Sequence, residues 1–529
     1  MSLGFHTGFK KFIGPRGPHR SEEASRIMES KVSRRLQQAT APEVCEHIYV
    51  PRLNREFASG FAYLTDINQA HLLMLHKAEL IPTSVAARVA QAVQQMEQAG
   101  PEAVPLDPQR EDAYFNYEAQ LMALAGAEVG GRLHVARSRN DILATQDRLR
   151  TRDLALSLID ALCAVREVTL VRAAEHAEAV MPGYTHLQAA QPITYGYYLA
   201  AVSDAVGRDV ERIERALTGL DACPLGAGAL AGTAFPILRD ETARLLGFSA
   251  SVPNSLDAVA TRDFAWELMS AMTVAAVTWS RVAQDFFVWS TPEFGLIEFP
   301  DSVAGTSSIM PQKKNPVVLE YLKGKSGHLI GLLTAALASV KGTNFTHTGD
   351  GNRESMRSFW ESADECLRCL ALLKLVLGAA RPLRENMLLR ARSDFSSATD
   401  LADALVREAG VSFREAHHIV GAVVRQALDA HLDADEITSQ MVDAVALEQI
   451  GRPMGLSEEA VRRCLDPVAG VAARSVFGGP SPALVTERVA QQQTALRASQ
   501  DNVVLRRQAL AAARKTLKQE LAVLAAWRA

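Results

Sequence analysis

Between Arg132 and Met181 the chain runs for fifty residues without a glycine or proline, and apolar side chains recur at Leu154, Leu158, Leu162, Val165 and Val168. Steps of four, four, three and three keep these residues on one helical face, while Arg, Asp and Glu fill another. A second uninterrupted stretch covers thirty-seven residues from Ser255 to Thr291. At 1.5 Å per residue, fifty helical residues reach about 75 Å, a length that suits a central bundle of extended helices. Period-two alternation bounded by turns is nearly absent, so the pattern predicts an all-α chain.

Glycine and proline divide the rest. Residues 46–133 hold shorter helical segments such as 65–80 and 84–99, residues 134–380 the long helices, and residues 381–529 shorter helices again. The last region is interrupted by RPMG (452–455) and FGGPSP (477–482). Residues 1–45 read as a basic arm, with eight Lys/Arg against three Glu in the first forty positions. It lacks the apolar region of a secretory signal, and a mobile arm or a tail that packs on a neighbouring subunit is expected. The GAGALAG segment (226–232) has neither the spacing nor the preceding strand of a dinucleotide-binding turn, so it carries little weight as a nucleotide site.

Composition sharpens the class. With 48% hydrophobic residues in 529, the chain can bury a sizeable core and does not read as disordered or fibrous. Its 56 basic against 60 acidic side chains leave a net charge of −4, which argues against nucleic acid or an anionic membrane as the main partner. An anionic ligand must then be held by a local cluster. Six cysteines are too few for a disulfide framework, and the pair Cys366–Cys369 lies in a helical segment without a histidine partner. Free thiols in a reducing cytoplasm are expected, and no run approaches the roughly 18 apolar residues of a membrane span.

Three polar stretches stand out. AGTSSIMPQKKNP (304–316) sets two serines, two lysines and an asparagine between proline brakes, in a loop flanked by long helical segments. RSRND (137–141) opens the long helix, and MPGYTHLQAAQPI (181–193) places Thr185 and His186 just past its end. Together they offer Lys, Arg, Asn, Thr and Ser donors for carboxylates, with a histidine able to titrate near neutral pH. No phosphate cradle or metal-ligand spacing accompanies them, so the expected ligand is a small polyanion, with no cofactor and no metal.

GTSSIMPQKKNP resembles the signature loop of the fumarase/aspartase superfamily. HVARSRND, MPGYTHLQAAQPI and PLGAGALAGTAFPILRD resemble the argininosuccinate lyase family within it, and collinear similarity continues from about Asn54 to DPVAGVAARSVFGGPSP. The resemblance implies a three-domain all-α protomer and a homotetramer whose active sites each draw on three subunits. It also implies trans elimination of fumarate from an N-substituted aspartate such as argininosuccinate, without a cofactor. Ser307 matches the general base, while Lys313 and Asn315 match the residues that hold the substrate carboxylate as charge develops on it; Gln312 lies in the same loop. Ser138, Arg139, Asn140 and Thr185 match further substrate contacts. His186 matches a histidine paired with a glutamate, for which Glu320 falls at the expected place.

Departures cluster on the side of the leaving amine. Argininosuccinate lyases usually carry a tyrosine, a glutamine and a second lysine after the lysine–glycine pair, where this chain has His347, Asn352 and Ser355. Their EDxH reads Glu111-Asp112-Ala113-Tyr114 here. The reaction type is therefore firmer than the substrate. The chain reads as an argininosuccinate-cleaving member of the family or as a paralogue with a different amine, for example a diamine or an aminocarboxylate. Argininosuccinate is expected to be handled less efficiently than by a typical member. Two further readings are a non-catalytic structural relative of the crystallin kind and a C–O lyase acting on malate. Retention of Ser307, Lys313, Asn315 and His186 argues against the first, and the QKKN and RSRND motifs against the second.

Overall fold

The computed structural model describes residues 35, 36, 38–393 and 395–528. The arm expected over residues 1–45 falls mostly outside these residues. In chain order the principal elements are α1 (Val50–Lys77), α2 (Thr83–Ala99), α3 (Ala113–Ala125), α4 (Arg139–Glu175), the hairpin β1 (Val180–Thr185) and β2 (Gln188–Thr194), and α5 (Tyr195–Leu220). There follow α6 (Asp263–Trp289), the short strands β3 (Gly305–Thr306) and β4 (Lys314–Asn315), α7 (Val317–Val340) and α8 (Glu354–Ala379). The chain closes with α9 (Ala398–Ala409), α10 (Phe413–Asp429), α11 (Ser439–Ile450), α12 (Glu458–Leu465) and α13 (Pro482–Ala525).

Among the described residues two compact units result, one within 35–150, 222–259 and 510–528, the other within 151–221 and 260–509. In the first, Leu64, Ile67, Leu72 and Met74 of α1 bury against Val89 and Val93 of α2, Tyr117 and Leu121 of α3, and Leu517 and Leu521 of α13. A polar clasp lies among these helices. The Lys518 ammonium donates to Asp66 Oδ1 (2.8 Å), Gln69 Oε1 (2.6 Å) and Glu97 Oε1 (2.5 Å). Burial holds the Asp66 carboxyl above its ordinary value, although Lys518 pulls it down. Lys518→Met should therefore cost about 1–3 kcal/mol at pH 8, because Glu97 loses its ion pair and faces Asp66, which keeps only Arg514 (3.2 Å). An acid whose pKa is raised on folding loses stability as pH rises through that value, so the penalty should shrink at pH 5. Urea midpoints at the two pH values read this directly; an equal loss at both would remove the clasp from the account.

The second unit holds the bundle. The α6 helix packs against α5 and α7, and α7 against α8. Trp279 of α6 is fully buried and donates its indole N–H to Leu322 O of α7 (3.2 Å), while Phe359 of α8 is 0% exposed. A satellite core joins α9 to α12 through Leu401, Leu405, Ile419, Val423, Val445 and Val461.

The long helices appear as the sequence predicts, with informative adjustments. The fifty-residue stretch yields a helix of 37 residues, about 55 Å at 1.5 Å each. It starts at Arg139, where Ser138 caps it, and ends before the β1–β2 hairpin. The stretch from Ser255 breaks after Ala260 and restarts at Asp263. Shorter helices were expected throughout the region after Arg381, yet α13 spans 44 residues. Its start fits Pro482 at the first helical position, and no glycine or proline follows it to interrupt propagation. Among the described residues the strands form four separate two-stranded pairs, so the chain is all-α with small β punctuation.

Candidate active site

In the first unit the polar residues gather at the N-terminus of α4. Ser138 is the residue before the first helical turn, and its N–H donates to Asp141 Oδ1 (2.9 Å), one half of a capping box. Asn140 N lies 3.4 Å from Ser138 Oγ, and Asn140 Nδ2 donates to Ala229 O (3.1 Å). Arg139 Nη1 donates to Glu111 Oε2 (2.9 Å) and Asp112 Oδ2 (2.8 Å), and its guanidinium stacks 4.3 Å from the Phe115 ring centre. The structure thus brings Ser138, Arg139 and Asn140 to one half-buried corner. Tyr114 is 1% exposed, with its hydroxyl donating to Glu118 Oε1 (3.0 Å), accepting from Arg137 Nη2 (3.2 Å) and lying 2.7 Å from His134 Nδ1. Its polar group is engaged inside the unit.

In the second unit Thr185 and His186 sit at the tip of the β1–β2 hairpin. A two-residue connection with φ of 55° at His186 and 57° at Leu187 is the left-handed pair that a type I′ turn requires. Such turns favour Asn-Gly; placing His and Leu there costs about 1–2 kcal/mol per residue. Held strain of this kind concentrates at functional positions, and it projects Thr185 and His186 to the surface. The sequence signal was hidden because neither turn residue is of the usual type.

The Ser307 loop is closed by the pairing of β3 with β4, Thr306 opposite Lys314 and Gly305 opposite Asn315. Asn315 Nδ2 donates to Thr306 O across the base of the loop (3.1 Å). A side chain at position 305 would meet Val317 Cγ1 at 2.5 Å, so only glycine allows the closure. Within the loop the Ser307 hydroxyl oxygen accepts from Met310 N (3.0 Å) and Ile309 N (3.4 Å). Two amide dipoles aimed at one oxygen favour its anionic form. The two lysines part company. Lys314 is anchored to Asp301 Oδ1 (2.7 Å) and Phe299 O (3.2 Å), whereas Lys313 is exposed and makes no side-chain ion pair among the described residues. Gln312 is exposed beside it. Glu320 lies exposed in the first turn of α7, and no ion pair joins it to His186 among the described residues.

The three amine-side candidates meet on one turn. A π-helical turn at Gly349–Arg353 leads into α8, and Asn352 Nδ2 within it donates to His347 Nδ1 (3.2 Å). Ser355 is 0% exposed and donates to Asn352 O (3.3 Å). No group of three or more His, Cys, Asp or Glu side chains among the described residues is disposed to hold a metal ion.

Comparison with known proteins matches this architecture to lyases of one superfamily. Residues 52–331 fit the family model described as Lyase, and residues 395–472 the one described as Argininosuccinate lyase C-terminal. The chain belongs to the argininosuccinate lyase family of the fumarase/aspartase superfamily, and as such is a carbon–nitrogen lyase. It is 37% identical to argininosuccinate lyase 1 of Shouchella clausii, over 93% of this chain and 98% of that one. It is 39% identical to argininosuccinate lyase of Methanothermobacter thermautotrophicus, over 81% and 91%. Among solved structures, a variant of EDDS lyase with bound fumarate superposes with a TM-score of 0.82 at 32% identity, over 92% of this chain and 96% of that one. A fumarate lyase from Mesorhizobium sp. BNC1 shares the fold, with a TM-score of 0.67 at 20% identity, over 82% and 96%.

Proposed function

We propose that the chain releases fumarate from an N-substituted aspartate by trans elimination, with an amine half unlike that of ordinary argininosuccinate lyases. The observation that carries the reading is the Ser307 oxygen under two amide N–H groups, in a loop where Lys313, unlike Lys314, makes no side-chain ion pair among the described residues. Ser307 removes the proton from the carbon next to the departing C–N bond. The electron pair left behind first spreads into the adjacent carboxylate, where Lys313 and Asn315 meet the growing charge. It then forms the carbon–carbon double bond as the C–N bond breaks. His186, polarised by Glu320, returns a proton to the amine, while Thr185, Ser138, Arg139, Asn140 and Gln312 hold the carboxylates.

His347, Asn352, Ser355 and Tyr114 shape the amine side, where a diamine, which brings no carboxylate, suits the lost cation better than argininosuccinate does; an aminocarboxylate bound through other groups is the alternative. That EDDS lyase is among the similar structures supports this choice, and the relatives named argininosuccinate lyase support the ordinary substrate as the second reading. Fumarate formation from argininosuccinate, aspartate, adenylosuccinate, malate and N-(aminoalkyl) or N-(carboxyalkyl) aspartates tests both. No fumarate from any of them would overturn the proposal.

The parts of the site are further inferred to come from three subunits of a homotetramer, each subunit being divided into domains at 46–133, 134–380 and 381–529. Membership in the argininosuccinate lyase family supports this. His186→Asn and Ser307→Ala proteins, each inactive, should regain part of the activity when unfolded and refolded together. Mixed tetramers without any recovery would show that each site is built within one protomer. A cytoplasmic setting fits six cysteines that are all buried and outside disulfides, and no helix among the described residues is long and apolar enough to cross a membrane.

A further inference from the structure

The GAGALAG segment, without a role in the sequence reading, is tied to the α4 corner by a single carboxylate. Asp141 is 0% exposed. Its Oδ1 accepts from Ser138 N (2.9 Å), and its Oδ2 accepts from both Gly226 N and Gly228 N (2.9 Å each). Asn140 adds a third bond to the segment, through Ala229 O. The glycine amides converge because Gly226 and Gly228 take φ of 90° and 61°. Side chains would not fit: a Cβ at 226 would meet Ile237 Cδ1 at 2.8 Å, and one at 228 would meet Gly232 O at 2.7 Å.

We propose that Asp141 is a positioning residue for the elimination: by clamping the Ser138–Asn140 corner to the Gly226–Gly228 loop, it holds three substrate-binding side chains in one geometry. The proposal rests on the assignment of Ser138, Arg139 and Asn140 to substrate carboxylates. All three precede Asp141 by no more than three residues, so any slack in the clamp moves them together. The carboxylate is needed because both of its oxygens accept. An asparagine in its place must turn its NH2 toward either the Ser138 amide or the two glycine amides, setting donor against donor. A misplacement of about 1 Å at a binding corner costs on the order of 10²-fold in rate. Burial pushes the Asp141 carboxyl up to about 6 while the Ser138, Gly228 and Gly226 amides pull it down, so the ionised acceptor persists at neutral pH.

The test uses the full chain with Asp141→Asn, Gly228→Ala and both together. Three readouts are followed: fumarate formation with the best substrate of the panel, fumarate affinity by titration, and amide hydrogen exchange over residues 136–141. Asp141→Asn should lower kcat/KM by about 10–100-fold with most of the change in KM, weaken fumarate binding, and speed exchange at this corner alone. Gly228→Ala should do the same from the other side of the clamp, and the double variant should be no worse than the poorer single one. Additive losses in the double variant, wild-type fumarate affinity in Asp141→Asn, or faster exchange along the whole of α4 would overturn the proposal. Should wild type form no fumarate from any substrate, the elimination reading fails, and the clamp is then judged by exchange alone. Unchanged exchange over 136–141 in Asp141→Asn sinks it in that case too.

Discussion

Ser307→Ala is expected to lower kcat by about 10³-fold or more, equivalent to about 4 kcal/mol of transition-state stabilisation, with substrate KM changed little. The hydroxyl acts when the proton leaves carbon, so its removal should spare the ground state. The size follows from the surroundings of the oxygen. An ordinary serine is a poor base, but Met310 N and Ile309 N point at Oγ, and Lys313 stands exposed in the same loop. Each preorganised donor of this kind is worth about 10²–10³-fold in rate where charge develops. The loop itself should survive the substitution, because the β3–β4 pairing and the Asn315–Thr306 bond do not involve the hydroxyl. Steady-state kinetics on the purified variant, with a thermal melt as control, give the answer. A melt unchanged from wild type with more than about a tenth of the kcat remaining would take the base role away from Ser307.

On argininosuccinate the wild-type chain should be slow, with kcat/KM below about 10⁴ M⁻¹s⁻¹, while at least one N-substituted aspartate with a different amine exceeds that value. The reason is the joint change at His347, Asn352, Ser355 and Tyr114. Ser355 is fully buried and bonded to Asn352 O, so it cannot stand in for a lysine ammonium. Asn352 is 5% exposed, and its amide is directed to His347 Nδ1. Tyr114 spends its hydroxyl on Glu118, Arg137 and His134. A carboxylate brought to such a site without its usual cation pays a desolvation cost of a few kcal/mol, or about two orders of magnitude in kcat/KM. Kinetics across the panel separate the outcomes: argininosuccinate as the best substrate, turned over above that rate, would refute the divergence.

Much of this protein was open to reading along the chain. The long helices followed from spacing at Leu154, Leu158, Leu162, Val165 and Val168, because a 3.6-residue period is a local property that survives tertiary packing. Family membership followed from collinear motifs for the same reason: each motif is contiguous. One local signal was present and misread: the breaker-free tail after Pro482 made α13. RSRND, by contrast, marks the start of α4 where the sequence places it.

What the chain order alone could not decide is long-range. The β1–β2 hairpin turns on His186 and Leu187, residues with no intrinsic preference for positive φ, and only the surrounding structure holds them there. The division of labour between Lys313 and Lys314 depends on Asp301 and Phe299, which only the folded loop brings to one of the two. Asp141 reaches Gly226 and Gly228 across some eighty-five residues, and no local period encodes that meeting. The sequence by itself determined which segments are helical and which residue types the loops offer, since both depend on neighbours a few positions away. Tertiary structure decided which polar atoms are already bonded and which remain for a ligand, because burial and hydrogen bonding are settled between segments far apart in the chain.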